Sequence, residues 1–237
     1  MRLKGLHGKL YAWWWWKSFN KPYVLDNRFI EYLRELPDSC LGLDLGSGNR
    51  GSVNGKAVSL DISFSARLDV VGDARCLPFA SSVFDYVWCN AVLEHVTNPQ
   101  DVAKEIMRVL KPDGVLILQV PFLENIHSWP NDYFRFTPQG IRMLFKEMKE
   151  ESWGISAGPG QVISDLVQYY IVLFADLQKR SVWSFCLLLL LFVPGLLLVP
   201  LKLMDKVLQH RPTFMYWARA FYFVARKQRI GCGEIRK

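Results

Sequence analysis

The run Leu43-Asp44-Leu45-Gly46-Ser47-Gly48-Asn49-Arg50-Gly51 ends an apolar stretch in an acid and follows it with glycines at alternate positions. Glycine there permits a tight turn and close approach of a ligand to the backbone, as nucleotide sites require. Gly46, Gly48 and Gly51 also satisfy the spacing G-x-G-x-x-G, which is weak on its own. Two further acids sharpen the pattern. Asp61 ends the next apolar run about 15 residues after Gly46, where a carboxylate can accept hydrogen bonds from both hydroxyls of a ribose. Asp73 closes a third run, in VVGDARCLPF, placed to meet an adenine amino group. A nicotinamide dinucleotide needs the same loop and an acid about 20 residues on, so it stands as the alternative nucleotide.

A second cluster follows the fifth apolar run, in PFLENIHSWPNDYFRFTPQGI. It holds His127, Asp132, Tyr133 and Arg135 within nine residues. His127 suits a general base acting on a substrate hydroxyl, with Asp132 orienting it and Tyr133 beside them. The competing reading is architectural: Asp132 pairs with Arg135, and Thr137 caps the following helix. His95, in LEHV, reads first as a structural or substrate-lining residue.

These groups need a scaffold that brings the ends of several strands together. From Leu41 onward, strand-like runs alternate with helical stretches, the pattern of an α/β protein with a mostly parallel sheet. The runs are LGLDLG, AVSLDIS, LDVVGD, FDYVWCN and GVLILQVPF. NPQDVAKEIMRVLKPDG sets Val102, Ile106, Val109 and Leu110 on one helical face, with Asn98 at the N-cap, Pro99 in the first turn and KPDG as terminator. TPQGIRMLFKEM predicts another helix behind a Thr-Pro cap.

The composition bounds the architecture. In 237 residues, 51% hydrophobic and 22% charged, there is room for one sizeable core with an appendage, and wholesale disorder is excluded. The net charge of +7 sits at the ends: residues 1–20 carry four Lys/Arg and no acid, and residues 202–237 carry nine against Asp205 and Glu234. Basic ends can meet nucleic acid or anionic lipid, and the neighbouring residues favour lipid. SVWSFCLLLLLFVPGLLLVPL, residues 181–201, has 21 uncharged residues, about 31 Å as a helix. Pro194-Gly195 interrupts it, and Lys179, Arg180, Lys202 and Lys206 flank both sides, which favours a hairpin dipping into one leaflet. A kinked spanning helix and a buried helix remain open. Trp13 to Trp16, between Lys9 and Lys17, suit the head-group level or packing on the domain. Cys40, Cys76, Cys89, Cys186 and Cys232 show neither metal-ligand nor disulfide spacing, so no metal is expected and a reducing, cytosolic setting is the simplest.

Taken in order, LDLGSGNR, SLDIS, GDARCLPFASSVFDYVWCNAVLEHV and RVLKPDGVLILQVPF resemble the class I S-adenosylmethionine-dependent methyltransferases, in particular the type 11 methyltransferase domain group. The resemblance covers roughly residues 40–150. It implies a Rossmann-like fold with a seven-stranded, mostly parallel sheet and S-adenosyl-L-methionine as cofactor. Asp44, Gly46, Ser47 and Gly48 would wall the methionine and ribose side, Asp61 with Ile62 would hold the ribose, Asp73 with Ala74 the adenine, and Asn90 would sit beside the sulfonium. Arg50 departs from the family, which places a third glycine there. By the same resemblance SWGISAG, near 152–158, is the sixth strand and AFYFVARK, near 220–227, the seventh, with a basic interfacial helix as the alternative for AFYFVARK. The loop around His127 also resembles that of bacterial members found with polysaccharide- and lipid-modifying pathways.

The expected organisation is an aromatic, basic helical segment (1–36), the methyltransferase core (37–160), a membrane-associating insertion (161–215) and a closing strand with a basic tail (216–237). The expected activity is methyl transfer to a lipid or lipid-linked acceptor, foremost at a hydroxyl oxygen, with a quinone-type ring carbon or a glycan on a polyprenyl carrier equally admissible, and with the catalytic part on the cytosolic membrane face. Partners are then the lipid substrate and the membrane surface, with no nucleic acid, and the oligomeric state stays open. The alternatives are an RNA or protein methyltransferase and a non-catalytic membrane adaptor.

Overall fold

A computed structural model of the chain describes residues 28–52, 54–127, 131–174 and 200–229. The chain runs α1 (Arg28–Glu35), β1 (Gly42–Leu45), β2 (Val58–Asp61), β3 (Val70–Val71), β4 (Phe84–Asn90), α2 (Pro99–Val109), β5 (Leu110–Pro121), α3 (Pro138–Leu144), β6 (Met148–Ala157), α4 (Pro159–Phe174) and β7 (Ala220–Lys227). The seven strands form one sheet in the order β3-β2-β1-β4-β5-β7-β6. The pairs β2–β3, β1–β2, β1–β4 and β4–β5 are parallel, while β7 joins β5 antiparallel. This is the Rossmann-like methyltransferase sheet that the motifs implied, with the last strand inserted next to the fifth.

The central strands are covered on both faces, as their unbroken apolar runs require. Leu43 and Leu45 of β1, Val87 and Cys89 of β4, and Leu116 to Leu118 of β5 are fully buried. Gly42 lies opposite Tyr86, and a Cβ on it would come within 2.0 Å of the Tyr86 ring, so only glycine lets that ring lie across β1. On α2, Val102, Ala103, Ile106 and Val109 form the buried stripe, each Val or Ile contributing roughly 1.5–3 kcal/mol by burial.

Several boundaries differ from expectation for local reasons. Lys111-Pro112-Asp113-Gly114 does not follow α2 as a terminator, because the helix already ends at Val109 and Leu110 enters β5 opposite Phe84. The pairing resumes at Tyr86↔Val115, so Lys-Pro-Asp-Gly is an irregular bulge within the strand, with Asp113 at φ 64°. Lys111 Nζ, 2.9 Å from Asp85, pins it. Asn98 occupies the N-cap of α2 without capping it, since its amide donates to the Asp101 carboxylate instead. Thr137 does cap α3, accepting from Gly140 N–H at 3.1 Å, but that helix stops at Leu144. Phe145 is buried at the turn and Met148 already starts β6, four residues ahead of the expected Ser152. AFYFVARK is strand β7, with Phe221 to Ala225 buried.

Residues 26–156 and 220–237 form one compact unit, and residues 157–219 belong to another. Within the second, Asp205, on the helical stretch 200–208, accepts from Gly160 N–H through both oxygens, at 2.9 and 3.0 Å. It thereby supplies a carboxylate to the N-terminus of α4. Arg219 Nε donates to Asp165 at 2.7 Å in the same unit. A short 3-10 segment, Pro212–Trp217, buries Phe214 and exposes Tyr216 and Trp217. Trp13 to Trp16 and residues 181–199 of the apolar run lie outside the described residues. Among the described residues no helix is long and apolar enough to cross a membrane.

Candidate functional site

Beyond the carboxyl ends of β1, β2 and β4 lies a cleft of about 620 Å³, within the roughly 300–1,000 Å³ of small-molecule sites. Its lining includes Gly46, Gly48, Asp61, Phe64, Asp73 and His95. The loop after β1 is stitched to β2, with Gly46 and Ser47 N–H donating to Leu60 O at 2.8 and 3.2 Å. Gly46 has φ 73°, and a Cβ there would stand 2.2 Å from Val92 Cγ2, so both conformation and space demand glycine. Ala91, at φ 54° just past β4, also lines the cleft and holds the left-handed conformation that alanine rarely adopts.

Asp61 has each carboxylate oxygen oriented by the backbone: Oδ2 accepts from Gly48 N–H at 3.0 Å and Oδ1 from Ser63 N–H at 2.8 Å. A carboxylate oxygen accepts more than one hydrogen bond, so both keep capacity for a ribose hydroxyl. Ile62, 59% exposed, and Phe64, 84% exposed, put apolar surface on the same cleft. Asp73 is gripped by Arg75, whose Nη2 lies 2.7 Å from Oδ2, and this partner holds the carboxyl below its ordinary pKa. Ala74 lines the cleft beside it.

Three of the expected cofactor residues stand behind this lining. Asp44 is fully buried and Arg50 Nη2 donates to its Oδ1 at 3.0 Å. The arginine that replaces the family's third glycine therefore turns inward to the acid. Ser47 is buried, and Asn90 ends β4 opposite Gln119.

The loop after β5 docks on the short 3-10 turn Leu93–His95, Tyr133 N–H donating to Glu94 O at 2.7 Å. Asp132 serves that loop: it pairs with Arg135, accepts from the His127 backbone N–H at 2.9 Å, and has its carboxyl held well below the usual range by the guanidinium. Its Oδ2 lies 3.5 Å from His127 Nδ1, which instead donates to Asn125 O at 3.1 Å. Tyr133 is 47% exposed. The group facing His127 Nε2 is Glu94, fully buried, with Oε1 3.7 Å away. This carboxylate pushes the His127 imidazole above its ordinary pKa. The same Oε1 lies 3.7 Å from His95 Nε2. Sequence reasoning passed over Glu94 and Phe64. Glu94 adjoins a marked histidine in LEHV, but its burial and its nearness to residue 127 depend on how the chain returns after β5.

The sheet order, the glycine turn at the end of β1 and the acids at the ends of β2 and β3 define the class I methyltransferase architecture. Residues 26–118 match the family model of the type 11 methyltransferase domain. Over 73 residues it is 44% identical to the ubiquinone/menaquinone biosynthesis C-methyltransferase of Cereibacter sphaeroides, covering 30% of this chain and 29% of that protein. Over 86 residues it is 38% identical to the demethylmenaquinone methyltransferase of Listeria welshimeri, covering 35% and 36%. The chain thus spans about a third of the length of these relatives. In three dimensions it is similar to phosphoethanolamine N-methyltransferase 2 of Haemonchus contortus, solved with S-adenosyl-L-methionine, at a TM-score of 0.55 and 16% identity over 94% of this chain and 57% of that one. At such identity the likeness is one of fold.

Proposed function

We propose that this protein is a methyltransferase that uses S-adenosyl-L-methionine and methylates a lipid or lipid-linked acceptor at a hydroxyl oxygen. The observation that carries the reading is Asp61, oriented by two backbone donors at the floor of a cleft shared with the glycine turn and Asp73. Asp61 holds the ribose diol, Ile62 and Phe64 supply apolar surface for the base, and Asp73 with the Ala74 backbone receives the adenine edge. Bound there, the cofactor would supply a methyl group already activated on its sulfonium sulfur, for an acceptor oxygen relieved of its proton to take. The chain's own part is alignment, exclusion of water and removal of that proton. We place proton removal at the cluster of Glu94, His95 and His127, because His95 lines the cleft.

The lipid acceptor and attachment to the cytosolic face of a membrane rest on the uncharged run at residues 181–201. They also rest on the second unit's exposed apolar side chains, among them Leu166, Tyr170, Met204, Val207, Tyr216 and Trp217. Both curated relatives named above bear names tied to quinones, and the first is named a C-methyltransferase, which supports a quinone-type acceptor with a ring carbon as the alternative to oxygen. The test incubates membranes containing the protein with radiolabelled S-adenosyl-L-methionine, extracts them with organic solvent and compares an Asp61→Ala control. Asp61-dependent label in the organic phase is expected. Label confined to RNA or protein would overturn the lipid acceptor and move those substrates forward.

A further inference from the structure

Glu94, His95 and His127 present three donor atoms to a common centre. Glu94 Oε1 lies 3.7 Å from Nε2 of each histidine, and the donor atoms of the three residues all lie within 4.8 Å of one another. The two rings stand edge to face, their centroids 5.0 Å apart. Each ring's other nitrogen is already engaged: His95 Nδ1 lies 2.5 Å from Asn131 O and His127 Nδ1 lies 3.1 Å from Asn125 O. A carbonyl only accepts, so both Nδ1 atoms carry protons and each Nε2, the nitrogen left to bind a ligand, turns inward.

The centre is therefore faced by two imidazole nitrogens and a carboxylate. Neither Glu94 oxygen makes a hydrogen bond among the described residues, although the side chain is completely buried. A carboxylate left so is costly unless a cation answers it. A proton on one ring answers it poorly, because 3.7 Å exceeds the about 2.7–2.9 Å of an imidazolium–carboxylate hydrogen bond. A metal ion answers all three donors at once. Contraction by a few tenths of an ångström brings them to the about 2.0–2.2 Å of metal–nitrogen and metal–oxygen bonds. The backbone carbonyls behind Nδ1 are the outer partners that orient ligating histidines.

We propose that Glu94, His95 and His127 bind a first-row divalent cation of the zinc type. Two imidazoles and one carboxylate suit such ions and lack the oxygens that calcium or magnesium requires. Three protein ligands leave coordination positions open, and His95 opens onto the cleft, so an oxygen of a substrate completes the set. Resting on the methyl-transfer reading above, the cluster then relieves the acceptor of its proton through the ion and not as a free base: the ion holds the acceptor hydroxyl and lowers its pKa, the released proton passing to water.

The test uses the full chain, dialysed against a chelator and titrated with Co²⁺ alone while its visible absorption is followed, then with Zn²⁺ by calorimetry. The comparison proteins are Glu94→Gln, which keeps the volume, and His127→Asn at a partly exposed position. One Co²⁺ per chain is expected, with affinity at least about tenfold weaker in either variant, since loss of even an outer partner costs that much. Unchanged thermal unfolding of one variant suffices to separate ligand loss from misfolding. Absent binding in the wild type, or binding that survives both substitutions, overturns the site. S-adenosyl-L-methionine binding is measured separately: an ion bound without it sinks the methyl-transfer reading and leaves the cation site standing.

Discussion

Arg50 Nη2 donates to Oδ1 of the fully buried Asp44 at 3.0 Å, so the side chain that replaces a glycine secures the acid at the end of β1. Arg50→Ala removes this charged partner from a buried carboxylate, at a cost of about 1–3 kcal/mol. Arg50→Lys should recover only part, because a point charge on a flexible stem reproduces the guanidinium poorly. Urea unfolding followed by circular dichroism measures both, and an Arg50→Ala midpoint equal to wild type would show that Asp44 does not depend on Arg50.

Asp61 serves the loop and the proposed ligand through the same two oxygens. Asp61→Asn turns one acceptor into a donor, which must face either Gly48 N–H or Ser63 N–H. Affinity for S-adenosyl-L-methionine should fall by at least about tenfold, matching loss of a charged hydrogen bond worth about 1.5–3 kcal/mol. Isothermal titration calorimetry reads it, with melting followed in parallel. Undiminished affinity would remove Asp61 from the ribose site.

The glycine turn and the two cleft acids were legible because each sits at a strand end, where an apolar run stops and the residue type changes. β4 and β7 were legible to the residue for the same reason. The bulge in β5 was not: Lys-Pro-Asp-Gly has the composition of a turn, and only the pairing of Leu110 with Phe84 shows that the strand has already begun. The site divides likewise. Local pattern marked His127 and Asp132 as partners, yet the salt bridge to Arg135, three residues along, commits Asp132 to the loop. Glu94 faces His127 across 33 positions, a contact that no local spacing encodes.

Alkaline pH should loosen α1 from the sheet. The Tyr32 hydroxyl donates to Glu151 at 2.7 Å and accepts from Arg226 at 2.6 Å. Burial, reinforced by Glu151, pushes the phenol from 10.0 up to about 12. A group raised in the folded state contributes stability that is complete below its unfolded pKa and is lost as pH rises through the folded one. The difference in melting temperature between wild type and Tyr32→Phe should therefore hold below pH 10 and shrink between pH 10 and about 12. A difference that stays constant to pH 12 would mean that the phenol's proton does not tie the helix down.

The proposed attachment to membranes would have two physical causes, which the sequence carries together. Basic ends would hold anionic lipid by charge, and salt at about 1 M shortens the screening length to about 3 Å and releases such contacts. The apolar run and the exposed Leu166, Tyr170, Val207 and Trp217 would hold by burial, which salt does not weaken. After washes of native membranes with high salt, carbonate and detergent, the protein should stay with the pellet until detergent is added. Deleting residues 181–199 should then make it salt-extractable, the remaining attachment being that of the basic ends. Release of the intact chain by salt alone would leave only the electrostatic contact and take away the main support for a lipid acceptor.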